Sequence, residues 1–172
     1  MHVSTGAAYG VDRIRWLAGV FVAAALAVVA CSLCTAAVRA EEVTVYRDEF
    51  GVPHIYAETL SGAAYGAGFS QAEDRLEQLL QNYRLAAGTM SELAGPSLLE
   101  RDYRARMWQH ETICRERFTQ MNPKLQDACR AYIKGVEKFM ADHPEQTPKW
   151  AQKLEPHFPV MLGRFIIWGW PE

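Results

Sequence analysis

Apolar and polar positions change period several times along the chain, and each change marks an element. Two short β-prone runs come first, Val43 to Tyr46 and Val52 to Tyr56. Between them, Asp48-Glu49-Phe50-Gly51 has turn chemistry: Asp caps its own backbone and Gly accepts positive φ. The pattern predicts a β-hairpin, with Pro53 confined to an edge or to a late strand start. Thr59 to Ala64 predicts a short helical turn, interrupted at Gly66 and Gly68. Ser70-Gln71-Ala72-Glu73 then has capping-box spacing. Leu76, Leu79, Leu80, Tyr83, Ala86 and Ala87 follow on one helical face, and Gly88 supplies the stop. A second capping-box spacing, Ser97 to Glu100, predicts a helix running to about Gln120 with Leu99, Tyr103 and Met107 on one side. Asn122-Pro123 starts a further helix, whose stripe is Leu125, Ala128, Tyr132, Ile133, Val136, Phe139 and Met140; Asp142-His143-Pro144 closes it. Residues 145–159 lack periodicity and predict a loop pinned by Trp150, Leu154 and Phe158. The segment from Val160 to Trp170 is almost wholly apolar, so it needs another surface to cover it.

The N-terminal pattern differs from all of this. Arg13 and Arg15 precede an uncharged apolar stretch, Trp16 to Val38, and Val38-Arg39-Ala40 resembles a cleavage site before Glu41. Three readings stay open: a cleaved signal peptide, an uncleaved anchor, or a lipoprotein signal acylated at Cys31. Each places residues 41–172, the region that would form the folded part, outside the cytoplasm, in the periplasm or secreted. Membrane contact is then expected only through residues 1–40.

Charge adds little. The chain of 172 residues carries 18 basic and 20 acidic side chains. Setting aside residues 1–40, which hold Arg13, Arg15, Arg39 and Asp12, leaves 15 basic and 19 acidic groups. With no basic run, a nucleic-acid partner is not expected. Cys114 and Cys129 are the cysteines outside the export segment. Export favours a disulfide between them; the alternative is two buried thiols used as small apolar groups.

No catalytic constellation emerges from the residues themselves. Ser61, Ser70, Ser91 and Ser97 are scattered, Ser70 and Ser97 read as helix caps, and there is no nucleophile elbow. His54 is expected to be a structural imidazole bonded to backbone, and His110, His143 and His157 surface or loop residues. Arg47, Asp48, Asp74 and Arg75 are expected to form a structural hydrogen-bonded network rather than an acid–base pair.

Several pieces in order nonetheless match a family: Arg47-Asp48 through Gly51-Val52-Pro53-His54-Ile55, Tyr65 to Phe69, Ala72-Glu73-Asp74-Arg75-Leu76, and Arg84 through Gly88 to Glu92 and Gly95. With these the chain resembles the N-terminal (α) chain of penicillin acylases and related N-terminal-nucleophile amidohydrolases, including acyl-homoserine-lactone acylases. Glu73 stands where the family often has Gln. The resemblance implies an α+β fold: a mostly helical half with an N-terminal hairpin, part of a four-layer αββα sandwich built with a second chain. It implies a hydrolase acting on linear amides, made as a zymogen, whose nucleophile opens a downstream β chain and uses its own α-amine as base. Met161, Arg164 and Phe165 match the family's acyl-pocket pattern, Met161 and Phe165 touching the acyl group and Arg164 gating the mouth or orienting an oxygen acceptor. Core packing is the other reading of Met161 and Phe165. Glu172 lies near the family's calcium-binding glutamate, so calcium is the one cofactor the resemblance suggests. Apart from the resemblance, the apolar stretch and missing catalytic groups also fit a membrane-tethered helical binding module, or a truncated fragment without function.

Overall fold

Hairpin, helices and their order follow from local chemistry, and a computed structural model describes residues 42–169. Strands β1 (Thr44–Arg47) and β2 (Pro53–Tyr56) pair antiparallel, with Val45 opposite Ile55 and Arg47 opposite Pro53. As predicted, the Asp48 carboxylate accepts from the Phe50 and Val52 amides, at 3.0 and 2.9 Å, and Gly51 takes positive φ. Pro53, having no N–H to give, starts its strand.

Helix α1 (Leu60–Ala87) is longer than the pattern predicts. Its cap is Thr59, whose hydroxyl accepts from the Gly62 amide, so the helix runs through Gly66 and Gly68 without a break. Ser70 is therefore interior and buried, and its Oγ has no partner. The Ser70–Glu73 capping box does not form. The interruption comes instead at Arg75, whose φ of −154° and ψ of 49° kink the helix. Gly88, in the left-handed conformation, ends α1 as predicted, its amide bonding back to the last turn.

The region predicted as one helix from Ser97 to Gln120 is divided. A single turn, α2 (Ser91–Ala94), and a 3-10 turn (Pro96–Leu98) lead into α3 (Leu99–Met107). Gln109, at φ 52°, then redirects the chain into α4 (His110–Arg117). Ser97 lies within the 3-10 turn and caps nothing. The split rotates the expected apolar side outward: Leu99, Tyr103 and Met107 are exposed, while Asp102 and Ala105 face in.

Helix α5 (Pro123–Asp142) follows its pattern closely, with Asn122 accepting from the Lys124 amide and Pro123 at the first position. Only Leu125, of the predicted stripe, is left exposed. The following segment carries no regular structure until α6 (Phe158–Gly169), which takes in much of the apolar terminal run. Loop residue Trp150 is held by Arg84, which donates to its carbonyl at 3.2 Å and lies over its ring.

The core forms where α1, α5 and α6 meet: Leu79, Leu80 and Tyr83 from α1, Ile133, Val136 and Phe139 from α5, and Phe158 and Met161 from α6. Burying each such side chain stabilises by roughly 1.5–3 kcal/mol. Glycine sets how closely α1 and α5 approach. A Cβ on Gly68 would lie 2.0 Å from the Tyr132 carbonyl oxygen, and one on Gly135 would lie 2.1 Å from that of Tyr65. Both thiols, Cys114 and Cys129, are buried and free, so the disulfide expected from export is not formed. Burial raises the pKa of each, as for small apolar packing groups.

Candidate functional site

Two clusters contain the residues singled out from the sequence. The first surrounds the hairpin. Arg47 reaches from β1 to α1, where it meets Glu73 at 2.6 Å and Asp74 at 2.9 Å, and it donates to the Gly51 carbonyl at 2.8 Å. Asp48 holds the turn and bonds the His54 ring at 3.1 Å. That bond, with the two backbone amides, keeps the Asp48 carboxyl below its usual range. His54 thus bonds a carboxylate rather than the backbone partner expected. Arg75 bonds Gln78, on its own helix, and stands apart from the Arg47 pairs. Every cation here already has an acceptor, and the groups are largely exposed, so the arrangement clamps the hairpin to α1 and leaves no base free to act. A cleft of about 420 Å³ lies alongside, between β2 and α1, bounded by Pro53, Ile55, Ser70, Asp74 and Arg75.

The second cluster lies on the seam between α4 and α6. Positions 161, 164, 165 and 168 fall on neighbouring faces of α6, because residues three and four apart are stacked along a helix. Met161 is fully buried among core side chains. Arg164 and Phe165 are half-buried, and Ile166, Ile167 and Trp168 are exposed. Phe165 meets the edge of the His110 ring at 5.6 Å. The Arg164 guanidinium lies 5.1 Å from the Trp168 ring, and Trp168 stacks on Trp108 at 5.3 Å and 19°. The Nε of Arg164 is buried with no acceptor.

His110 and His157 are both buried, against the expectation of surface positions, and each has one ring nitrogen without a partner. Desolvation, then the nearby Arg164 charge, depresses the His110 pKa. Desolvation likewise depresses that of His157. Both imidazoles are thus neutral near pH 7, His110 beside Arg164 and His157 near Glu111, Glu155 and Arg115.

What this seam can do chemically is bind. Phe165 and the exposed end of α6 offer an apolar wall, and Arg164 offers N–H donors suited to a carboxylate or carbonyl oxygen. Met161 is sealed behind that wall. Trp108 and His110 were missed as members: their signal, an aromatic at the end of one helical run and a ring beginning the next, is legible only once the chain turns at Gln109. Glu172 lies outside the described residues, as do residues 1–40 with Cys31 and the proposed export segment. Among the described residues, no group of three or more His, Cys, Asp or Glu side chains is placed to hold a metal, and no helix is long and apolar enough to cross a membrane.

Comparison with known proteins agrees with the sequence resemblance. The penicillin amidase family model matches residues 42–167. A penicillin acylase 2 proenzyme of a Pseudomonas species is 37% identical over 99 residues, covering 58% of this chain and 13% of that protein. Penicillin G acylase of Escherichia coli is 30% identical over 101 residues, covering 58% and 12%. An acyl-homoserine lactone acylase of Pseudomonas aeruginosa is 28% identical over 109 residues, covering 63% and 13%. The chain thus spans about 13% of the length of the curated relatives it matches. Among solved structures, thermostable penicillin G acylase from Alcaligenes faecalis superposes with a TM-score of 0.65 at 26% identity, over 72% of this chain and 71% of that one. With the family model matching most of its length, the chain belongs to the penicillin amidase family.

Proposed function

We propose that this chain is the acyl-pocket portion of an exported amidohydrolase, which cleaves the amide joining an acyl group to an amine. The nucleophile comes from a second chain. The observation that carries the proposal is the half-exposed seam on α6, where an apolar wall at Phe165 adjoins the half-buried Arg164 guanidinium, carried over the Trp168 ring. Such a site recognises an acyl amide by its two halves: the apolar tail against the wall, and an oxygen of the substrate toward the guanidinium.

Bond cleavage needs more than binding. In this reading the hydroxyl of an N-terminal serine on the second chain attacks the amide carbonyl, and its own α-amine takes the proton. The tetrahedral oxyanion is held by donors of that second chain. The leaving amine departs protonated, and water releases the acyl group. Met161 backs the wall from the core, so its contribution is to fix Phe165 rather than to touch substrate.

The second chain would also cover the exposed side chains Leu99, Tyr103 and Met107 of α3, together with Ile166, Ile167 and Trp168. The Trp108–Trp168 stack joins these two groups. Contiguous exposed apolar area of this kind fits a partner surface. If Glu172 contributes to a calcium site, the remaining ligands belong to that second chain. Both penicillins and acyl-homoserine lactones, for which the relatives are named, are candidate substrates in this reading, each being an acyl amide.

The test of the site is Phe165→Ala in the chain paired with its second chain. The KM for a long apolar acyl amide should rise about tenfold, the effect of losing a contact worth about 1.4 kcal/mol, with kcat changed far less. An unchanged KM would remove Phe165 from the pocket. Export is tested by mass spectrometry of the mature N-terminus, which should begin at Glu41 or at an acylated Cys31. An intact Met1 found in the cytoplasm would overturn it.

A further inference from the structure

Arg164 lacks the anchor that a half-buried arginine ordinarily has. No carboxylate among the described residues pairs with it, its Nε has no acceptor, and its guanidinium lies over the ring of Trp168 at 5.1 Å. Trp168 itself is close to half exposed, near the end of α6. A lone indole there would be free to change rotamer, carrying the cation with it. What restrains it is Trp108, stacked at 5.3 Å and 19°.

The position of Trp108 is in turn fixed by the backbone. It is the C-cap of α3, with its amide bonded to the Arg104 and Arg106 carbonyls. The next residue, Gln109, sits at φ 52°. A non-glycine residue in that region is strained, and persists only where surrounding packing requires it. The turn delivers Trp108 to α6 and at the same time starts α4, which brings His110 against Phe165. One strained residue therefore places both rings that flank the α6 seam.

We propose that Trp108 is a positioning residue: stacked on Trp168, it fixes the ring that carries Arg164, and so holds the guanidinium ready for a carboxylate or carbonyl oxygen of the ligand. The inference rests on the proposed role of Arg164 as an oxygen-binding donor. Stacked aromatics restrain each other beyond simple burial, and a cation over an indole gains from the ring quadrupole without neutralising its charge. Arg164 thereby keeps its donors free, which an ion pair would not allow.

The experiment titrates the full chain with benzoate and with benzamide, following tryptophan fluorescence, and compares Trp108→Leu, Trp108→Phe, Arg164→Met and the double variant Trp108→Leu/Arg164→Met. The far-ultraviolet circular dichroism couplet of the stacked indoles is recorded in parallel. Expected are benzoate binding about tenfold weaker in Trp108→Leu, equivalent to about 1.4 kcal/mol, near-normal binding in Trp108→Phe, and little change for benzamide. The couplet should vanish in both Trp108 variants. On the Arg164→Met background, Trp108→Leu should add nothing.

Benzoate affinity that falls in Arg164→Met but holds in Trp108→Leu would overturn the positioning role and leave the role of Arg164 standing. Affinity indifferent to Arg164→Met, or no benzoate binding by the unaltered chain, would overturn both. Should Trp108→Leu fail to fold, Trp108→Phe decides: it retains a stacking ring, and a loss of benzoate affinity as large as that of Arg164→Met would contradict the proposal.

Discussion

Single residues set distances in this fold as much as large side chains do. Gly68 and Gly135 let α1 and α5 meet backbone to backbone, and from the sequence they read only as interruptions. A helix-breaking reading of Gly66 and Gly68 is reasonable for an isolated helix, where glycine costs about 1 kcal/mol against alanine. Tertiary contact reverses it, because only glycine leaves room for the Tyr132 carbonyl. Gly68→Ala should therefore destabilise the chain by about 3 kcal/mol, the upper part of the overpacking range. Chemical denaturation measures this, and a change under 0.5 kcal/mol would contradict the close approach. Asp102 is a second such position. Its buried carboxylate accepts from the Met90 amide at 3.1 Å and the Ser91 amide at 2.7 Å, capping α2 from α3. Desolvation pushes its pKa up, but the Ser91 and Met90 hydrogen bonds and the nearby Arg106 outweigh that and leave it lowered. Asp102→Asn should cost about 2 kcal/mol, the worth of charge-assisted bonds. The carboxylate's contribution is present above pH 3.8 and lost as pH falls through its lowered native value. A thermal melt of the variant identical to the parent at pH 7 would remove Asp102 as a cap. Nothing in the sequence pointed to it, since donor and acceptor lie more than ten residues apart.

At the scale of elements, periodicity worked where a helix packs along one face and failed where the chain turns. The stripe, cap and closing residues of α5 are all visible in the sequence, because one face of one straight helix meets the core. The hairpin was equally legible through Asp48 and Gly51. Between Ser97 and Gln120 the spacing supports a single helix, yet the positive φ at Gln109 divides it, and no Gly or Pro announces the turn. Spacing put Leu99, Tyr103 and Met107 on one side of that helix; the side that packs holds Ala105 and the Asp102 cap instead. Burial of His110 follows from the same turn, and His157 is buried directly before α6. His110 and Cys114, both on α4, each lie near Arg164 across the α4–α6 seam, while His157 senses Glu111 and Arg115 of α4 and Glu155 of its own loop. Both native pKa values lie below the ordinary 6.5. The unfolded chain therefore takes up protons first as pH falls. Stability from these groups is complete above pH 6.5, declines as pH drops through the lowered native values, and levels off below them. The urea midpoint measured from pH 8 to 5 should fall at the acid end, and His110→Phe should flatten part of that slope. A midpoint independent of pH over this range would mean that neither histidine is held neutral.

For the molecule as a whole, family membership was readable from an ordered set of short motifs, whereas their purpose was not. Arg47, Asp48 and Asp74 read as a structural network in one dimension, and in three they clamp a hairpin to a helix, with His54 joined to Asp48. The α6 pattern admits both an acyl pocket and core packing in one dimension, and in three it divides into a sealed Met161 and a half-open Arg164 and Phe165. In the proposed reading those two residues bind an acyl amide and neither attacks a carbonyl, so recognition belongs to this chain and cleavage to a partner. Amide hydrolysis tests that division most directly. The 172-residue chain is assayed against an acyl-amide substrate alone, and again when paired with a penicillin-acylase second chain that begins with serine. The account predicts no turnover by the chain alone and turnover by the pair, abolished when that serine is replaced by alanine. Turnover by the chain alone would contradict it.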